Sequence, residues 1–373
     1  MKDILVVGAG IAGATIARLL AENGFRVKVW EEKKFVSGTC YDTLDDNSYI
    51  QWYGSHIFRT NDVNIWDFLN SFSKFNIYQH KVLGYVDGQF VPVPFNLDSL
   101  YSLFPPKQAD ILCEKLIKYY GYDSSISVKD LLGSDDFQIR TLGNYIYDKI
   151  FKNYTFKQWG TVDVDDSVLA SVPVRINKDG RYFNQTYQGV PSEGWTKLIE
   201  KMLNHKNIKV CMETSFDYSE RADSLFEAVF YSGSLDRLFS YKYGRLPFRS
   251  LKFENQYNED NKLLPSAVVN YPNDYDFTRV SCFNMLLPER KFKSSVWCYE
   301  YPSEIGEPLY PIKSLKSDEL YGKYLKLAEK NKIIPIGRLG LYKYMDINAT
   351  LKTSIQICND FMEGKDGGRK EGL

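Results

Sequence analysis

The chain has 373 residues, more than a single hydrophobic core commonly holds, so two or three domains are expected. Lys and Arg (47) balance Asp and Glu (47), which gives no support for binding nucleic acid or an anionic membrane. No apolar run is long enough to span a bilayer, and the six cysteines and three histidines lack metal-type spacing. Residues 3–7 (DILVV) are a continuous apolar run ending at Gly8, the pattern of a buried parallel strand. Residues 11–23 predict a helix closed by Gly24, and 26–31 (RVKVWE) predict the second strand of a βαβ unit. From 106 to 155 apolar residues recur at i, i+3 and i+4, so an inserted helical domain is expected there. Short β-type runs around 160–190 and 241–303, broken by Pro, Asn and Gly, predict an antiparallel sheet. An amphipathic helix follows at 194–205, then two strand-like runs, IKVCMET and AVFYSG. The βα pattern returns at 318–362 as a helix, the strand IIPIG and a last helix.

The expected fold class is therefore α/β: a Rossmann-like nucleotide-binding domain, an inserted helical domain and an antiparallel β-sheet domain. The boundaries place the nucleotide domain at 1–70, 191–235 and 311–363, and the helical domain at 96–155. The sheet domain takes 75–95 with 156–190, and 236–310; residues 364–373 are expected to be a disordered tail. Lys2 and Asp3 run straight into the first strand, without a signal peptide, and the scattered cysteines read as reduced thiols. A cytoplasmic enzyme is expected.

The motif with most chemistry is Gly8-Ala9-Gly10-Ile11-Ala12-Gly13. Gly8 permits the tight turn, Gly10 lets a pyrophosphate approach the backbone, and Gly13 lets helix and strand pack closely. The helix start offers N–H groups and a positive dipole end to phosphates. Glu31 ends the second strand, where a carboxylate can hold a ribose hydroxyl. Alone, the motif does not separate FAD from NAD. Its N-terminal position, the late return of the βα pattern and the turn Gly337-Arg338-Leu339 favour FAD. Arg59, Arg175, Arg245, Arg249 and Arg279, with Tyr154, Tyr182, Tyr310 and Tyr344, are the types that suit a diphosphate. Singly, each reads as a surface arginine or a core tyrosine. His205 reads as a solvated helix end, and no GxSxG or Cys–His spacing points to nucleophilic catalysis.

Ordered blocks extend the reading: GAGIAG, YGSHIFRTND, PFN at 94–96, YTFKQWG at 154–160, PVR at 173–175, YFNQTYQGVP, GWTKLIEKML, YSGSLD, FRSLKFE, AVVN, GEPLYP and GRLGLYKYMD. In these blocks the chain resembles the bacterial UDP-galactopyranose mutases from residue 3 to about 362. The resemblance implies a flavin-dependent mutase, active with reduced FAD, that interconverts the pyranose and furanose forms of a nucleotide-linked hexose. It implies a covalent flavin N5–sugar adduct and no net redox change. Phosphate positions fall on Arg249, Arg279, Tyr182, Tyr310 and Tyr344, uracil positions on Tyr154 and Trp159, and a further substrate contact on Asn270. FAD positions fall on Gly8, Gly10, Ile11, Ala12, Gly13, Glu31, Gly38, Gly54, His56, Ile57, Gly233, Arg338, Tyr344 and Asp346. A UDP- or dTDP-sugar substrate, NAD(P)H or another reductant for the flavin, and a homodimer are also implied.

Departures from the family cluster at the sugar and phosphate end. Arg59 replaces a histidine beside the flavin, and His80 replaces an asparagine. Ser171 stands where the family's mobile loop carries a phosphate-binding arginine, and 160–172 contains no arginine. The usual Gly-Gly of the flavin-proximal turn is Ser37-Gly38, and Arg245 replaces a small residue. His56, Arg59 and Arg279 are the catalytic candidates; His80 and Arg245 join the substrate set. Arg59 or Arg245 is expected to replace the missing cation, in a sugar subsite remodelled for a 2-acetamido, 6-deoxy or other hexose. A lost charge-assisted phosphate contact costs on the order of 2–3 kcal/mol, about a hundredfold in turnover. The alternatives are a flavin oxidoreductase of the amine-oxidase type and a non-catalytic nucleotide-sugar binder.

Overall fold

The computed structural model describes residues 3–160, 166–218 and 226–364. Five parallel strands form one sheet, in the order Ile208–Cys211, Val27–Trp30, Asp3–Val7, Phe226–Tyr231, Ile333–Pro335. They come from three distant stretches of chain. The first strand shows why such runs are apolar throughout. Ile4 and Val6 enter one core with helices Ile11–Glu22, Trp195–Leu203 and Ile347–Met362. Leu5 enters the opposite core with Tyr324 of helix Leu315–Lys330, and with Tyr342. Alternate side chains are thus buried on both faces. Each fully buried Ile or Leu contributes about 1.5–3 kcal/mol.

The helical unit contains Pro106–Tyr120, Val128–Leu132 and Phe137–Ile146. The last of these continues through a π-helical stretch, Tyr147–Lys152, into Asn153–Trp159. Its core is Leu112, Leu116, Leu131, Ile139 and Leu142, closed by Val174 and Ile176.

A seven-stranded sheet forms the third unit, in the order Tyr310–Pro311, Phe248–Asn258, Ser295–Ser303, Arg279–Cys282, Val268–Asn270, Val82–Val86, Gln89–Val93. It is antiparallel except where Val268–Asn270 runs parallel to Val82–Val86.

Residues 156–190 differ from the expectation that they join this sheet. Asp166–Ser171 is helical, and Pro173–Arg175 pairs with Ser125–Ser127. Val174 and Ile176 bury their side chains among the helices, which draws that strand away from the large sheet. Tyr187–Pro191 pairs with Phe58–Thr60 and Phe75–Ile77 in a separate three-stranded sheet. The expected tail at 364–373 lies, beyond Gly364, outside the described residues. Among the described residues no helix is long and apolar enough to cross a membrane.

Candidate functional site

The glycine turn is a close-approach device. Gly8 has φ +98°, and a Cβ there would collide with Ser232 Oγ. A Cβ on Gly13 would collide with the Gly8 carbonyl, so the helix can lie on the strand only with glycine there. Gly10 precedes helix Ile11–Glu22, which has no side-chain cap. The first amides, from Ile11 onward, remain available to an anion. Glu31 is buried and braced: Oε2 accepts from Ala9 N–H at 2.7 Å and Oε1 from Lys33 N–H at 2.9 Å. A carboxylate has lone pairs left over for a ribose hydroxyl. Two further turns close on this one. A Cβ on Gly38 would sit 3.2 Å from Gly10 Cα, and one on Gly337 3.2 Å from Ala12 Cβ. Gly233 lies beside the latter turn, its carbonyl next to Gly340. A cradle that side chains would fill fits a dinucleotide.

The Gly54–His56 turn lies between this cradle and the large sheet. Gly54 has φ +85°, and a Cβ on it would stand 3.1 Å from Glu300 Oε1. His56 Nδ1 lies 2.8 Å from the Gly54 carbonyl, which can only accept, so Nδ1 carries the proton. Burial pushes His56 down to about 4, the Gly54 carbonyl opposing and Arg338 assisting. Ile57 is buried in the core alongside. Arg338 donates to the Met345 and Leu309 carbonyls at 2.8 and 3.3 Å. Its guanidinium lies over Tyr310 and Tyr344, whose rings stack 5.9 Å apart.

One row across the large sheet carries the polar centre: Glu300 pairs with Arg279, Arg279 with Asn270, and Asn270 with Gly84. Arg279 Nη2 donates to the Tyr154 hydroxyl at 2.5 Å, and its Nε lies 3.6 Å from Glu300 Oε2. Burial opposes the Arg279 charge, but Tyr154, Glu300 and Tyr182 hold its pKa well above the ordinary value. Burial raises Glu300 against the opposing Arg279 charge, and raises Tyr154 to about 12. His80, 3% exposed, packs its ring against Tyr182 and Phe183. Burial, then Arg279 and Arg59, push it down to about 3. Arg249 pairs with Tyr310 in register, and a Cβ on Gly160 would collide with its guanidinium. Among the described residues, Glu300 Oε1, Arg279 Nε, Asn270 Oδ1, His80 Nδ1 and Arg249 Nε are buried without a hydrogen-bond partner. Orphaned polar atoms are costly, so their concentration in one place marks a ligand site.

Residues 149–344 match the family model of UDP-galactopyranose mutase, and residues 6–72 that of an NAD(P)-binding Rossmann-like domain. The chain belongs to the UDP-galactopyranose mutase family. It is 36% identical over 370 residues to a probable UDP-galactopyranose mutase of Klebsiella pneumoniae, covering 97% of this chain and 95% of that one. It is 32% identical over 376 residues to a dTDP-fucopyranose mutase of Escherichia coli, covering 97% and 99%. A crystal structure of reduced UDP-galactopyranose mutase superposes with a TM-score of 0.73 over 97% of this chain and 94% of that one. At 14% identity that match shows a shared fold.

Within this UDP-galactopyranose mutase family fold, the expected residues separate into those that meet and those that do not. Tyr154, Tyr182, Asn270, His80 and Glu300 meet around Arg279; Tyr310, Tyr344 and Arg338 form an adjoining stack. Arg59 reaches Asp346 and Phe183. Arg245 differs from its expected place. It is exposed, its guanidinium 3.9 Å from the centre of the Tyr241 ring, and it shares none of the partners recorded for Arg249 and Arg279. The turn at Tyr241–Gly244 directs it there, with Tyr241 at φ +56°. Arg175 is structural: it donates to the Arg181 carbonyl and to Asn184 Oδ1. Ser171 ends the helix Asp166–Ser171, and the Trp159 side chain lies outside what is described. Glu300 was missed by sequence reasoning. Its signal was an acid in the inward register of strand Ser295–Ser303, where Val296 and Cys298 are buried.

Proposed function

We propose that the protein is a flavin-dependent mutase acting on a nucleotide-linked hexose, UDP-galactopyranose or a relative with a 2-acetamido or 6-deoxy group. The reading is carried by the orphaned polar atoms of Arg249, Arg279, Asn270, His80 and Glu300, gathered beside a dinucleotide cradle. The cradle at Gly8–Gly13, Glu31, Gly38 and Gly337 would hold FAD, with Arg338 at its far end. When bound and reduced, that group supplies the nucleophile for the anomeric carbon.

The protein's own part is electrostatic. A departing diphosphate gains negative charge, which Arg249 and Arg279 are positioned to balance with the hydroxyls of Tyr182, Tyr310 and Tyr344. Arg279 stays protonated at every working pH, since its neighbours hold the charge. Tyr154 and Trp159 would pack the base. Neutral His56, its proton committed to Gly54, offers Nε2 as an acceptor. Arg59 and His80 are the groups proposed to read the sugar. The same chemistry disfavours an amine oxidase, which has no use for paired arginines and phosphate-type tyrosines.

The test is anaerobic incubation of dithionite-reduced enzyme with a panel of UDP- and dTDP-hexoses, followed by chromatography for furanose products. Conversion without consumption of reductant is expected. No furanose from any sugar, with stoichiometric peroxide in air, overturns the mutase. Conversion of UDP-galactose alone overturns the remodelled sugar subsite.

A further inference from the structure

A chain of buried hydrogen bonds stands behind His56. Asp42 accepts from the Trp195 and Thr196 N–H groups, at 2.6 and 2.8 Å, where helix Trp195–Leu203 begins. Tyr49 donates its hydroxyl proton to Asp42 Oδ2 at 2.8 Å. Gln51 Nε2 donates to the Tyr49 oxygen at 2.8 Å, and Gln51 Oε1 accepts from His56 N–H at 2.6 Å. Trp195 Nε1 donates to the His56 carbonyl at 2.9 Å. Tyr49, Gln51 and Trp195 are at most 1% exposed, so water does not compete for these bonds.

The direction of each bond follows from the one before. Both Asp42 oxygens face backbone N–H donors that cannot reverse, at a helix start that favours negative charge. Tyr49 has one proton and spends it on Asp42, so its oxygen is left to accept. Gln51 must then turn its NH2 to Tyr49 and its carbonyl to His56. The His56 peptide is held at both its N–H and its C=O, and the Gly54 turn brings a carbonyl to Nδ1.

We infer that Gln51 is a positioning residue: oriented by Asp42 through Tyr49, it holds the His56 peptide so that Nδ1 stays committed to Gly54 and Nε2 is left for the reacting groups. The inference rests on the proposed reading that His56 works beside the flavin. Gln51→Met keeps the length of the side chain and removes both bonds. In the FAD-loaded enzyme it is expected to lower kcat about tenfold or more with KM little changed, as for a displaced reacting group. The midpoint potential and visible bands of the bound flavin should shift as well. Gln51→Glu supplies a donor and an acceptor only when protonated, so it should recover kcat at the acid end of the profile and lose it as pH rises. The titratable and charged groups along this chain are Asp42, Tyr49 and His56, with Cys40 beside Tyr49 and Arg338 beside His56. Gln51→Met with wild-type kcat and flavin potential overturns the inference, as does Gln51→Glu with a wild-type pH profile if the methionine variant does not fold. If His56→Ala also turns over normally, the underlying reading of His56 fails; if only His56→Ala is impaired, the relay alone fails.

Discussion

Arg59 Nη2 lies 3.0 Å from an Asp346 carboxylate oxygen, which ties the middle of strand Phe58–Thr60 to the N-cap residue of the last helix, Ile347–Met362. Asp346 also caps that helix, accepting from Ala349 N–H at 2.8 Å. The Arg59 guanidinium carbon is 4.0 Å from the centre of the Phe183 ring, and its charge reaches buried His80. A half-exposed ion pair of this kind is worth about 0–1 kcal/mol to stability, so the arginine's main consequence is where it holds a positive charge.

Arg59→His is expected to reduce kcat/KM on the true substrate by about tenfold to a hundredfold, the value of a charge-assisted contact. The melting temperature should hardly move. Arg245→Ala should leave activity near wild type, since Arg245 is exposed on Tyr241. Steady-state kinetics on both variants test whether Arg59 or Arg245 supplies a cation to the diphosphate; two wild-type results would mean that neither does.

Arg249 is paired with a carboxylate that a diphosphate would have to displace. Glu304 Oε1 lies 3.1 Å from Arg249 Nη1, with the arginine side chain 10% exposed and the glutamate 85%. Glu304→Gln should therefore tighten UDP binding about 1.4-fold to fivefold, the equivalent of an exposed pair's ~0.2–1 kcal/mol. Titration calorimetry reads this directly, and weaker binding would contradict competition.

Ser37 occupies a backbone position suited to glycine, with φ +87°, and among the described residues its buried hydroxyl has no hydrogen-bond partner. Left-handed backbone costs a serine about 1–2 kcal/mol, and an unpaired buried hydroxyl about 1–3 kcal/mol. Glycine in the unfolded chain returns about 0.4–1 kcal/mol of that. Ser37→Gly should raise the melting temperature by about 1–6 °C, and Ser37→Ala by less, since the strain stays. Differential scanning calorimetry separates the two.

The buried histidines set an acid limit. His80 has an ordinary value of 6.5 and is pushed to about 3 when folded, so below pH 6.5 the unfolded chain binds the extra proton first. Stability contributed by keeping His80 neutral is therefore complete above about pH 6.5 and falls away as pH drops towards about 3. His80→Asn, which removes the titrating ring, should flatten the fall in melting temperature across that window. Parallel slopes for the two proteins would show that His80 is not the source.

The dinucleotide cradle was legible because its chemistry is local. Gly8, Gly10 and Gly13 lie within six residues; Gly8 and Gly13 are each required by a clash, while a Cβ on Gly10 would meet only ordinary contacts. Glu31 directly follows the strand Val27–Trp30, which pairs with the strand just before it in the chain. The polar centre was legible only as types. Arg279 and Tyr154 could be listed, but their 2.5 Å contact joins a sheet strand to the end of a long helix, 125 positions apart. Arg245 looked like a phosphate ligand by position and is turned away by a local left-handed turn.

By itself the sequence determined the strands and helices of the nucleotide domain, the glycine turn and the family, because apolar period and backbone permissiveness are properties of neighbouring residues. Tertiary structure alone decided that Glu300, Arg279 and Asn270 form one row, that His80 lies against Tyr182, and that Gln51 faces His56. Those relations depend on strand register and on which surfaces close over one another. A shift of one residue would turn every such side chain to the other face.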